Sequence, residues 1–170
     1  MDLETLRRRL GTAALSAFRV LPGRVKRALV RTGTPNYTVG AVCVLEHDGE
    51  VLFLSQPHRR GWSLPGGLLD RGETPAQAVV REVREEVGLV IDPGDPLVTG
   101  VHQRTQSVDV VFRVRLTQRP RLRLAHEARR ARWWTPAQLR GADLETRQIL
   151  ALVRSAQGPA REGRLLGDAD

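Results

Sequence analysis

The sequence predicts a mixed α/β (α+β) domain, on three observations. Apolar and polar residues begin to alternate at Tyr37, a sharply bounded amphipathic helix follows Thr74, and alternation returns from Leu97 ahead of a last helical stretch. Strands on both sides of one central helix call for a sheet with helices packed on it, and no internal repeat suggests a solenoid. At 170 residues and 41% hydrophobic composition, one such domain with appendages can bury a substantial core.

Leu3, Leu6, Leu10, Ala14 and Phe18 recur at helical spacing, and a second basic amphipathic piece covers Val25 to Val30 before Gly33, Thr34 and Pro35 break the pattern. Such an extension suits a membrane surface or a subunit contact, and equally an appendage folded onto its own domain. From Tyr37, YTVGAVCVL and EVLFLSQ flank the turn EHDG and read as a hairpin. LVTGVHQRT, SVDVVFRVRL and RRARWW are further strands. Thr135 followed by Pro136 marks a helix start, and LETRQILALVRS is the last helix. The expected divisions are an extension over residues 1–34, a domain over 35–156 and a mobile tail over 157–170.

The net charge is +8, and Lys26 is the only lysine among the basic residues. That balance favours anionic partners such as nucleotides, phosphorylated metabolites, nucleic acid or anionic lipid. Cys43, the only cysteine, excludes an intramolecular disulfide and a cysteine zinc cluster, which suits a reducing compartment. No run approaches the ~18 apolar residues of a membrane span. Arg19 interrupts the apolar patch near the N-terminus and acidic residues precede it, so no signal peptide is expected and a cytoplasmic location is.

The central helix should run from Pro75 to Val87. Thr74 is a hydroxyl N-cap, Pro75 takes the first helical position, Gln77 completes a capping box and Gly88 stops the helix. Ala76, Val79, Val80, Val83 and Val87 then share one arc, and Glu82, Glu85 and Glu86 another. A solvated face would intersperse basic residues at four-residue spacing, whereas Glu82 and Glu86 repeat an acid there. Hard oxygen donors gathered on one arc suit Mg²⁺, with Mn²⁺ as a substitute. Ahead of the helix, Gly66, Gly67 and Gly72 in LPGGLLDRGET let the backbone bend sharply and approach an ion or phosphate.

Gly67, five residues, Glu73, seven residues, then REVREEVGL from Arg81 to Leu89 resembles the complete signature of the Nudix hydrolases. The resemblance implies an α/β/α sandwich with a mixed β-sheet, and hydrolysis of a nucleoside diphosphate linked to another moiety by attack of water on phosphorus. It implies that Glu82 serves as metal ligand or general base, that Glu85 and Glu86 bind the divalent ion, that Gly67 offers its carbonyl, and that Arg81 and Glu73 hold helix and loop together. In some members a glutamate on a later loop is the base, and Glu127 is the candidate here, with a purely structural role as the alternative.

The signature leaves the substrate open. The downstream proline of one ADP-ribose-hydrolysing subgroup is replaced by HQRTQ, and Tyr37 is the only tyrosine, so the tyrosine of dinucleoside polyphosphate hydrolases is missing. Arg59 and Arg60 before the signature, and Arg104, Arg113 and Arg115 on later strands, are candidate phosphate contacts. Trp62 is a candidate to stack on a base, and Trp133 and Trp134 should point to opposite faces of their strand. His58, His102 and His126 lack metal-ligand spacing and read as ordinary.

The leading expectation is a Mg²⁺-dependent pyrophosphohydrolase acting on a small nucleotide of the ADP-ribose or nucleotide-sugar type, as a homodimer. The alternatives are a hydrolase of oxidised or non-standard nucleoside triphosphates and a non-catalytic nucleotide-sensing module. Nucleic acid is not the expected partner, although the basic extension suits RNA or membrane association.

Overall fold

The computed structural model describes residues 19–125, 128–156 and 162–168. The chain divides into two units, Met1–Asn36 and Tyr37–Asp170. In the first, α1 (Gly23–Gly33) begins after Pro22, whose carbonyl accepts from the Val25 and Lys26 amides, and closes where the Thr34 amide donates to Val30. The expected stripe from Leu3 to Phe18 lies outside the described residues.

The second unit is built around β1 (Thr38–His47). It forms the expected hairpin with β2 (Glu50–Ser55) through Asp48 and Gly49, both at positive φ (49° and 75°), the conformation of a tight two-residue hairpin turn. β2 pairs with β1 only near the turn. Further back, β4 (Gly66–Leu68) takes its place and sets Gly66 opposite Val42 and Gly67 opposite Ala41. On its other edge β1 runs parallel to β7 (Ser107–Arg115), which also carries antiparallel β6 (Val98–His102). β2 carries β3 (Trp62–Ser63) and β8 (Arg130–Trp134).

Alternation along these strands feeds two cores. Ala41, Cys43, Leu45, Leu52, Leu54, Val110, Phe112 and Val114 face one side, where Ala78, Val79, Val83 and Val87 of α2 (Pro75–Val87) cover them. Val42, Val44, Val51, Phe53 and Val111 face the other, under Ile149 and Leu150 of α3 (Leu144–Ser155). The result is an α/β/α sandwich on a mixed sheet.

Three expectations are corrected. Thr135 and Pro136 start only a single turn, because Gly141 adopts φ 70° and its carbonyl is pinned by the Trp62 amide (3.0 Å); α3 begins at Leu144 instead, capped by Asp143. The tail is not free throughout: β9 (Glu162–Asp168) pairs antiparallel with β5 (Leu89–Gly94) and touches β7 at Val114. Strands β3, β4, β5 and β9 are additional to those the alternation predicts.

Candidate active site

Local capping chemistry fixes the helix that carries the carboxylates. Thr74 Oγ1 accepts from the Gln77 amide (3.3 Å) while Gln77 Oε1 accepts from the Thr74 amide (2.9 Å), and Gly88 closes the helix at φ 73°. Arg81 then locks it to the glycine loop. Its Nε and one terminal nitrogen donate to both oxygens of Glu73 (2.9 and 3.0 Å), and it reaches the Leu68 carbonyl (3.1 Å), Glu82 (2.7 Å) and Glu85 (3.3 Å). The guanidinium, aided by the Asp70 amide, holds the Glu73 carboxyl below its usual range.

Glu86 turns inward and is 4% exposed. One carboxylate oxygen accepts from the Gly66 amide (2.9 Å) and the other from the side-chain amide of Gln56. Burial pushes its pKa up to about 8, with the Gly66 amide pulling it down and Glu82 adding repulsion. Glu82 lies against Gly67 so closely that a Cβ there would sit 2.3 Å from Glu82 Oε1, which explains glycine at that position. Glu85, by contrast, is 60% exposed at its side chain.

Among the described residues no three Asp, Glu, His or Cys side chains already stand close enough to hold a metal ion. Arg81 occupies Glu82 and Glu85, and Glu86 faces the loop. The donor chemistry nevertheless fits a hard divalent cation. The buried Glu86 carboxylate held by neutral donors, the Glu82 carboxylate beside the glycine loop, which Arg81 pairs, and the Gly67 carbonyl form an oxygen-rich set.

A cavity of about 270 Å³ borders Gly40, Gly66, Gly67 and Leu68. A cleft of about 590 Å³ shares Leu68, His58, Arg59, Asp109 and Glu145 with it and extends to Thr38, His102 and Gln148. Arg59 lines both but is engaged, donating from Nε to Asp143 (2.7 Å) and from a terminal nitrogen to Glu145. Asp109, 4% exposed, stands 3.0 Å from His102 Nε2. Burial raises the carboxyls of Asp109 and Glu145, and His102 and Arg59 respectively oppose this.

The other predicted contacts lie elsewhere. Arg113 and Arg115 sit farther along β7, paired with Val44 and Glu46 of β1, and both approach Glu46 Oε2 (3.7 and 3.9 Å). Trp62 packs edge-on against Trp134 (4.7 Å), so its ring belongs to the second core. Trp133 joins the first core, so the two consecutive tryptophans do face opposite ways. Arg60 and Arg104 are exposed and line neither cavity. Glu127 and His126 lie outside the described residues. Sequence reasoning missed Gln56, His102, Asp109, Asp143 and Glu145. Asp109 carried a usable signal, as the lone acid of its strand, set among Val108, Val110, Val111 and Phe112.

A mixed-sheet sandwich in which a carboxylate-bearing helix is locked to a glycine loop beside a cleft is the class of architecture the resemblance implies. Residues 34–153 match the NUDIX domain, and the chain belongs to that family, whose members act on phosphoanhydride bonds. It is 34% identical to a MutT-like protein of Streptomyces ambofaciens over 108 residues, 62% of this chain and 68% of that one. It is 42% identical to an RNA pyrophosphohydrolase of Aeromonas hydrophila over 48 residues, which cover 28% of this chain and only 27% of the relative. The crystal structure of a bifunctional NMN adenylyltransferase/ADP ribose pyrophosphatase from Francisella tularensis shares the fold, with TM-score 0.61 and 19% identity over 78% of this chain and 45% of that one.

Proposed function

We infer that the chain is a cytoplasmic, Mg²⁺-dependent pyrophosphohydrolase that cleaves a nucleoside diphosphate linked to another moiety, of the ADP-ribose or nucleotide-sugar type. The observation that carries this reading is the inward Glu86 carboxylate, held by the amide of Gly66, a residue that lines a small glycine-rich cavity sharing Leu68, Arg59 and Asp109 with a larger cleft. The small cavity suits the diphosphate, and the cleft suits an organic group.

Gly67, Glu82, Glu85 and Glu86 would hold the cation, which, when bound, supplies charge neutralisation on the phosphates and a more acidic water. Arg81 keeps Glu82 and Glu73 in register with the loop. Beyond the small cavity the cleft adds, among the described residues, Thr38, Thr105, Ser107 and Gln148 and no further arginine or lysine, a lining that suits the hydroxyl and amino groups of an organic moiety better than additional phosphate. That favours a diphosphate with an organic partner over a triphosphate.

A panel in Mg²⁺ tests the reading: ADP-ribose, a nucleotide sugar, dGTP, 8-oxo-dGTP, coenzyme A and triphosphorylated RNA. The expected outcome is a nucleoside monophosphate plus a phosphorylated partner from ADP-ribose or the nucleotide sugar. Preferential release of pyrophosphate from a triphosphate would transfer the assignment to nucleotide sanitation.

A further inference from the structure

Gln56 is 5% exposed, follows the last residue of β2, and belongs to no part of the signature. Its side-chain NH₂ donates to Glu86 Oε1, which leaves the amide oxygen pointing away from the carboxylate. The oxygen is met by Ser63 Oγ (3.0 Å), itself buried and 3.3 Å from the Leu54 carbonyl. Ser63 on β3 thus fixes the amide of Gln56, and Gln56 fixes the carboxylate of Glu86 from the side opposite Gly66. The relay consists of neutral groups throughout. A lysine or arginine in place of Gln56 would hold Glu86 equally well but would supply the positive charge that the carboxylate otherwise offers to an external cation.

Resting on the reading of Glu86 as a cation ligand, we propose that Gln56, oriented by Ser63, is a positioning residue that holds Glu86 in ligating geometry without neutralising it. The backbone of the same residue adjoins a cleft residue, because its carbonyl accepts from the Arg59 amide (3.2 Å) and Arg59 binds Asp143 and Glu145 at the start of α3.

The test uses the full chain and Mn²⁺ alone as probe, with free ion followed by electron paramagnetic resonance and melting curves recorded with and without the ion. Gln56→Met keeps length and removes the donor; it should weaken Mn²⁺ binding about tenfold, the loss of one charge-assisted hydrogen bond. Gln56→Lys should abolish the Mn²⁺-dependent rise in melting temperature while leaving the metal-free protein at least as stable as the parent. Ser63→Ala, which only frees the amide to turn, should weaken binding by a smaller factor, and it stands in if Gln56→Met fails to fold. Mn²⁺ affinity within twofold of the parent in Gln56→Met or Ser63→Ala, or a full Mn²⁺ shift in Gln56→Lys, would overturn the proposal, as would a parent that binds no Mn²⁺. A parent that binds Mn²⁺ but hydrolyses nothing would refute the enzymatic reading alone, since the variants' effects on ion binding are read without turnover.

Discussion

Glu86 is the residue at which stability and function oppose each other most directly. Its folded-state pKa is raised from 4.5 to about 8, chiefly by burial, so the protonated form favours the fold. Stability from this group is fully present below about pH 4.5 and is lost as pH rises through about 8, on the order of a few kcal/mol across that window. Asp109 and Glu145 shift in the same direction, and Glu73 in the opposite one, its contribution being lost in acid. Metal-free melting temperatures should therefore fall between pH 5 and pH 8, and the Mg²⁺-induced rise should grow over the same range. In Glu86→Gln much of that slope should vanish and turnover should drop at least a hundredfold, about 2.7 kcal/mol. A variant that keeps the slope would assign it to Asp109 or Glu145 instead. Gly67→Ala tests the neighbouring contact. Its Cβ would meet the Glu82 carboxylate at 2.3 Å, and because that side chain can swing aside, we expect a small stability change and a clear rate loss, measured on the same preparation.

At the scale of elements, α2 was readable from sequence to the residue because its limits are set by neighbours in the chain: Thr74, Pro75, Gln77 and Gly88. Thr74→Ala should cost about 1 kcal/mol in chemical denaturation. Gly88→Ala should cost about 1–2 kcal/mol, since an alanine would have to hold φ 73° with its Cβ 2.8 Å from that of Arg123. Neither change touches Glu82 or Glu86, so turnover of the folded fraction should persist. The carboxylate cluster was legible for the same local reason, whereas the Arg81–Glu73 lock was implied only by the family resemblance. The short strands β3 and β4 were not, because two or three residues show no period and their pairing depends on distant partners. The placement of Arg113 and Arg115 failed similarly: alternation gave them a common face but could not say that Glu46 waits across the strand pair. Gln56 was invisible because nothing near it in sequence shows that Glu86 will lie against it.

For the whole molecule, the same distinction between local and distant partners separates its two ends. The described part of the N-terminal unit leaves Val20, Val25 and Val30 exposed in the single chain, at 82, 42 and 48%. We propose that this unit contributes to a homodimer contact, so removing residues 1–36 should halve the mass in light scattering, and an unchanged monomeric mass before and after would reject it. The C-terminal end makes a different case. β9 supplies the antiparallel partner of β5, the strand that follows the acidic helix directly, and Leu165 packs against the core that α2 covers. Gly163 is held so close that a Cβ would lie 2.5 Å from the Asp92 carbonyl and 2.6 Å from that of Pro93. Ending the chain at Ala156 would expose an edge of β5 and part of the core beneath α2. The loss of a packed leucine alone is worth about 2 kcal/mol, and the unpaired strand adds to it. The truncated protein should melt lower and show faster amide exchange over Leu89–Gly94, whereas the exchange of β2 should follow only the global loss. Equal protection of β5 in both chains would show that β9 is dispensable and that the tail is the mobile segment its sequence suggests.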